Sequence, residues 1–377
     1  MSPFCYNCMV KNKALIVSFL VLMVVITAAI SLKNQAPVKN NPEVRTRLHK
    51  STEESPTNIP VNSALPEKYT MQGGSHSFQT FNNCGPAALS MALSFYGIVE
   101  TQEKLGQDLR PYQVKSGDND DKSVTLEELA QKADSIGFIA FYRPGGNIEL
   151  LKKFIVNDMP VITTTLTKKN EDIGHYRVIY GYDDRKRELT QNDSLQGREL
   201  TYTYLDFMAL WKQFGYQYLV LVPQEKLETA KEILGEYIDE QVAWEKTAAG
   251  LTHALTITPE DTTTRFLLSI AYFNIGKYQD AVNEFEKVES LLPKRALWYQ
   301  IEPIKAYYQL GNYDRVLSIT SNIIENGNRA FSELYIIRGN VFLNQGNVTS
   351  AKAEYEKAVY YNENLKEAKE RLNLIAI

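Results

Sequence analysis

The spacing of apolar positions changes character along the chain, and each change marks a segment. "ALIVSFLVLMVVITAAISL", between Lys13 and Lys33, is a run of 19 uncharged residues. A bilayer core is spanned by a helix of about 20 apolar residues, so the run predicts an N-terminal transmembrane helix within residues 1–33. Lys11 and Lys13 favour a cytoplasmic N-terminus. The alternative is a cleaved signal peptide with Thr27-Ala28-Ala29 near its processing site, but the run exceeds the usual apolar core of about 7–15 residues. Either way the remainder is expected outside the cytoplasm, membrane-anchored in the first case and secreted in the second. Residues 34–67 hold Pro, Asn, Ser and charge with few large apolar side chains, the composition of a flexible linker.

From 68 to 224 the period alternates between helical and extended. "CGPAALSMALSFYG" has helical spacing and stops at Gly97; "TLEELAQKADSIGF" opens with Thr125 and Glu128 at capping-box spacing and closes at Gly137. "NIELLKKFIVNDMP" begins at Asn147 as a cap and ends before Pro160. The runs "PVITTTL", "HYRVIYGY", "RELTQND" and "YQYLVLV" read as strands. Helices followed by strands predict an α+β domain. The acidic stretch "SGDNDDKS" has Lys122 at a would-be ligand position and reads as a solvated loop, not a calcium site.

Residues 225–377 repeat. Gly276, Gly311 and Gly346 stand 35 residues apart, each followed two residues on by Tyr278, Tyr313 or Val348 and five on by Ala281, Val316 or Ala351. This resembles the tetratricopeptide repeat, a pair of antiparallel helices with a period of about 34 residues. Val316, Thr320 and Glu363 depart from the pattern. A weaker unit ends at Pro259, and "NLKEAKERLNLIAI" reads as a capping helix. An all-α solenoid is expected, with tyrosines as packing residues and a concave face to present substrate or dock a protein partner.

Composition narrows the function. The chain has 377 residues and a net charge of −4 with no basic patch, which excludes a nucleic-acid footprint. Of its 3 cysteines, Cys5 and Cys8 precede the apolar run, so the exported part has Cys84 alone and forms no internal disulfide. The Cys5–Cys8 spacing without partner ligands is weak evidence for metal or redox chemistry.

Cys84 opens a helix, whose N-terminus stabilises a thiolate; Pro86 suits the first turn and Gly85 permits close backbone approach. Gln79, five residues earlier, has an amide to donate to an oxyanion beside the Cys84 N–H. His175 begins a strand, with Arg177 and Ile179 on the same face. Asp193 ends the following strand, and a hairpin would return it to His175 as the third member of a triad. Each residue has a plainer reading: Cys84 as a small buried hydrophobe, Asp193 as a turn residue, His76 as a competing base.

Residues 68–223 resemble the papain-like cysteine peptidase family typified by the double-glycine leader peptidases of bacteriocin exporters, in particular their stand-alone relatives. The resemblance rests on Q-x-x-x-x-C-G-P-A at 79–87, "GH" at 174–175 with "GYDD" at 181–184, "ND" at 192–193, and "LDFMALW" followed by "YQYLVLV". It implies Cys84 as nucleophile, His175 as general base and acid, Asp193 as orienting residue and Gln79 as oxyanion donor, with no metal or cofactor. No phosphate-binding loop of the kind exporters carry appears. The expected function is a membrane-tethered extracytoplasmic thiol hydrolase of peptides or related amides. The alternatives are a catalytically silent peptide-binding scaffold and an acyl or amide transferase using the same thioester. The Gly73-Gly74 pair suggests self-cleavage but lies too close to Cys84 in sequence to reach it.

Overall fold

The computed structural model of the protein describes residues 64–110 and 124–375. The expected N-terminal span, the linker to residue 63, Cys5, Cys8 and the acidic loop lie outside the described residues. Among the described residues no helix is long and apolar enough to cross a membrane.

The first part is α+β, built on one antiparallel sheet. Its strands are β1 (Lys68–Thr70), β2 (Ile139–Arg143), β3 (Val161–Leu166), β4 (Gly174–Asp183), β5 (Glu188–Asp193), β6 (Gly197–Thr203) and β7 (Tyr218–Val222). They run in the order β2-β7-β3-β4-β5-β6. β4 is the longest: β3 and then β1 lie along one side of it, and β5 along the other.

Strand alternation divides two apolar layers. Ile162, Val178, Leu219 and Leu221 pack with Ala88, Leu89 and Ala92 of helix α1 (Cys84–Ser94) and with Leu129 and Ala133 of α3 (Leu126–Ser135). Val161, Ile179, Val220 and Val222 pack on the opposite face, against α4 (Ile148–Val156), α5 (Tyr204–Lys212) and α6 (Leu227–Leu234). α2 (Gln102–Leu109) lies beside α1.

The local signals hold at their positions. Thr125 and Glu128 form the expected capping box, and Asn147 accepts from Leu150 N–H as an N-cap. Three strands escape the period analysis. β1 is three residues long, β2 is half-buried except at its last residue, Arg143, and β6 is a half-exposed edge strand, so none carries a clean apolar alternation. The first core also extends past the expected boundary at 224. Ala230, Ile233 and Leu234 of α6 complete the layer around α4, so that helix packs with the sheet and not with the repeats.

The second part is helical. α7 (Glu240–Ile257) precedes three pairs: α8 (Thr262–Asn274) with α9 (Tyr278–Glu286), α11 (Glu302–Gln309) with α12 (Tyr313–Glu325), and α13 (Ser332–Asn344) with α14 (Val348–Tyr361). α15 (Lys366–Ile375) follows as the final helix. Gly276, Gly311 and Gly346 each follow the first helix of a pair with φ of 77°, 72° and 78°, the left-handed conformation that ends a helix. A Cβ at any of the three would meet nothing within 4 Å, so backbone conformation is what requires glycine there. Ala281, Val316 and Ala351 are fully buried between paired helices.

The middle pair breaks the pattern. α11 has 8 residues where α8 and α13 have 13, and a short helix, α10 (Ala296–Tyr299), fills the gap. This insertion packs on the sheet domain. Arg295 Nη1 lies 2.5 Å from Asp172 Oδ1, and the Tyr299 and Phe214 rings meet edge to face at 5.9 Å. Lys212 pairs with Asp261, and Arg143 donates to the carbonyls of Tyr237 and Ile238. At the far end Asn364 Nδ2 donates to the carbonyls of Gln107 and Asp108 at 2.7 and 2.9 Å. The array therefore touches the sheet domain near both of its own ends.

Candidate active site

α1 begins at Cys84, whose residue is 6% exposed. The turn before it is tight: Asn82 takes φ 56°, and Asn83 N–H donates to the Thr80 carbonyl. Asn83 occupies the cap position but does not cap. Its side-chain amide donates instead to Thr80 Oγ1 at 2.8 Å and to the Gln102 carbonyl. The cap residue therefore leaves the positive end of the helix dipole, where the thiol sits, without its own side-chain acceptor, and that end favours the thiolate.

His175 is the second residue of β4 and Asp193 the last of β5. Asp193 lies opposite Arg177 in the antiparallel register, which brings its carboxylate beneath the neighbouring His175. His175 Nε2 and Asp193 Oδ1 are 2.8 Å apart, with both side chains buried. The same oxygen accepts the backbone N–H groups of Leu195 and Gln196 at 2.8 and 2.9 Å. Arg177 Nε lies 3.0 Å from Asp193 Oδ2, an ion pair whose angle is too poor for a hydrogen bond. Burial by itself raises the Asp193 carboxyl. The hydrogen bond and charge of His175, the Arg177 guanidinium and the Gln196 N–H outweigh it and hold the pKa at about 2.

Arg177 is the residue whose role the sequence left unread. It is fully buried, and its guanidinium also donates to the carbonyls of Leu166 and Thr167 and to Thr165 Oγ1. Burial lowers its pKa, and Asp193 opposes that shift. The available signal was its place two residues after His175 on the same strand face.

The thiol and the imidazole–carboxylate pair arrive from different segments and are tied together twice. Gln79 N–H donates to the Ser194 carbonyl at 2.8 Å, and Ser194 Oγ donates to Gln79 Oε1 at 2.8 Å, which fixes the loop before Cys84 to the residue after Asp193. On the other side, Tyr176, the neighbour of His175, packs in the layer that contains Cys84, and a Cβ on Gly85 would touch its ring at 3.4 Å. His76 Nε2 lies 2.9 Å from the Asp193 carbonyl oxygen and its ring abuts Phe78. Gly74 packs on Phe95 just past the other end of α1, where a Cβ would lie 2.2 Å from the ring. An 11-residue helix puts that end about 16 Å from Cys84, which agrees with the Gly73-Gly74 pair being out of reach in cis. Among the described residues no group of His, Cys, Asp and Glu is placed to hold a metal ion.

Residues 67–219 match the Peptidase_C39 like family, and residues 332–365 match the tetratricopeptide repeat. No curated protein matches. Among solved structures, a C39-like peptidase from Bacillus anthracis is similar at 20% identity and a TM-score of 0.36, over 42% of this chain and 99% of that one. The peptidase domain of Streptococcus ComA, described as a bifunctional ABC transporter of a quorum-sensing pathway, is similar at 20% identity and a TM-score of 0.32, over 41% and 100%. A tetratricopeptide repeat protein from Parabacteroides merdae is similar at 19% identity and a TM-score of 0.22, over 41% and 78%. The chain therefore joins a C39-like peptidase domain to tetratricopeptide repeats.

Proposed function

We propose that this C39-like domain is a working cysteine peptidase or amide hydrolase, tethered to a membrane by the N-terminal apolar run with its bulk outside the cytoplasm. The observation that carries the reading is the buried His175–Asp193 pair, with the carboxylate held ionised, beside a helix that begins at a cysteine and has no side-chain cap. An ionised Asp193 requires His175 Nε2 to be the donor, so Nδ1 is the basic nitrogen left for the thiol.

In this mechanism Nδ1 takes the Cys84 proton and the sulfur attacks the substrate carbonyl. The Cys84 N–H and Gln79 Nε2 receive the oxyanion, the engagement of Gln79 Oε1 by Ser194 Oγ leaving the Nε2 end of the amide for that role. The C–N bond breaks as imidazolium donates its proton to the departing amine. Water, deprotonated by His175, then attacks the thioester and releases Cys84.

The low exposure of Cys84 favours a second reading, a silent scaffold with an inert thiol. One experiment separates them: the pH dependence of alkylation at Cys84 in the full chain, followed by mass spectrometry of the Cys84 peptide. The peptidase reading expects rapid labelling well below the free-thiol pKa of about 8.5, slowed about 100-fold or more near neutral pH in His175→Ala. Slow labelling that follows an ordinary or raised thiol pKa in both proteins would leave the scaffold.

A further inference from the structure

A cavity of about 650 Å³ separates the sheet domain from the repeats, within the size range of sites that enclose a ligand. It touches the candidate active site at Gly174, His175 and Tyr176 and extends along α3 and the starts of α11 and α13 to residues 362–367. Its lining holds six carboxylates against three lysines. Lys132 is already paired with Asp108 at 2.6 Å, so the remaining balance is anionic.

Two buried polar atoms on residues of this wall lack a hydrogen-bond partner. Gln300 is 6% exposed, lines the cavity, and its Nε2 has no hydrogen-bond partner. Glu302 Oε2 is likewise shut off from solvent without a partner. Burial raises the Glu302 carboxyl and Glu127, across the cavity on α3, raises it further, while Lys305 opposes both. Glu302 and Glu333 stand in the first turns of their helices, where the helix dipole suits an acid. That accounts for the choice of glutamate but not for the cavity that Glu302 lines or for the unpartnered atoms of Gln300 and Glu302.

We infer that this cavity binds a cationic peptide segment, with Glu302 and Glu127 receiving a lysine or arginine side chain and Gln300 donating to a peptide carbonyl. The inference rests on the peptidase reading, since it assigns that site its substrate class: a chain with a basic residue on the side of the scissile bond that lies toward the repeats. The insertion at α10 carries Gln300 to the wall and replaces the first turns of a regular repeat helix, so the repeats here build a substrate wall.

The test uses the full chain carrying Cys84→Ala, which cannot turn over, and a fluorescein-labelled Ala-Gly-Lys-Ala-Lys-Gly-Ala peptide with its Glu-for-Lys counterpart. Fluorescence anisotropy should show binding of the lysine peptide only, weakened tenfold or more in Glu127→Gln/Glu302→Gln and severalfold in Gln300→Ala. Thermal melts check folding. If the double variant does not fold, Glu127→Gln alone, at an exposed position of α3, should weaken binding measurably. Equal binding of both peptides, or affinity indifferent to these substitutions, would overturn the inference. Selective lysine-peptide binding with an inert Cys84 would keep the groove and remove the peptidase reading. An activated Cys84 with no preference for the lysine peptide would do the reverse.

Discussion

The two halves of this protein hold themselves together by different means. The repeat array is built from short-range apolar packing: Phe285, Tyr307, Val316 and Leu334 sit in one buried cluster, and the same small and large positions recur with each helix pair. The sheet domain has apolar layers too, but its centre of interest is a buried polar network. Asp193, His175 and Arg177 are each no more than 2% exposed, and Asp193 joins the other two across adjacent strands, by a hydrogen bond to His175 and an ion pair with Arg177. Apolar packing degrades gradually when one side chain is cut back. A buried charge network fails sharply when one charge is left without its partner, because desolvation is then uncompensated. The C39-like half thus holds buried charges in opposition, whereas the repeat half rests on apolar packing.

That contrast is sharpest at Arg177. Arg177→Met leaves the Asp193 carboxylate buried against a neutral side chain, and the expected loss is about 3–5 kcal/mol by urea denaturation. Phe285→Ala in the repeats should cost a similar about 3–5 kcal/mol through a cavity. The two differ in rescue. Adding Asp193→Asn to Arg177→Met should recover about half of the loss, since no orphan charge remains, whereas no single polar change restores Phe285→Ala. If Arg177→Met proves as mild as a surface substitution, the network is not what holds the site.

The pH dependence is the next largest effect. Asp193 has its folded pKa depressed to about 2 from 3.8, so its contribution is fully present above the unfolded value and disappears as pH falls through the folded one. Between about pH 5 and pH 2 the wild type should lose about 2 kcal/mol more than Asp193→Asn, since one pKa unit is worth about 1.4 kcal/mol. Parallel curves of stability against pH for the two proteins would mean that the carboxylate is not stabilised in the fold.

The smallest expected effect concerns the repeats. Gly311→Ala places a Cβ in open space but on a backbone at φ 72°, and should cost about 1 kcal/mol. Gly276→Ala should cost the same and add to it, because the two sites share no partners. Gly146→Ala in the sheet domain meets Trp211 at 2.6 Å instead, so its cost comes from repacking and should be relieved by a smaller residue at 211. A melt of the Gly276/Gly311 double variant within error of wild type would contradict the conformational argument.

Much of this was legible in the sequence because it is local. Cap residues, strand alternation and the 35-residue recurrence of glycines depend on neighbours a few positions away. The backbone's hydrogen-bond geometry turns those spacings directly into helices, strands and helix pairs. The places of Cys84, His175 and Asp193 at or next to the start or end of an element were readable for the same reason, whereas Gln79 lies in the loop before α1. The tertiary structure alone decided what those elements meet. It put Arg177 behind Asp193, engaged the Gln79 oxygen with Ser194, turned His76 onto a backbone carbonyl, and moved α6 into the first core. It also bent the middle repeat so that Gln300 and Glu302 face α3 across a cavity. Apart from the place of Arg177 two residues after His175, none of these has a spacing in sequence to betray it, because the partners lie from 16 to more than 100 residues apart and meet only when the sheet domain folds and, for Gln300 and Glu302, when the solenoid packs on it.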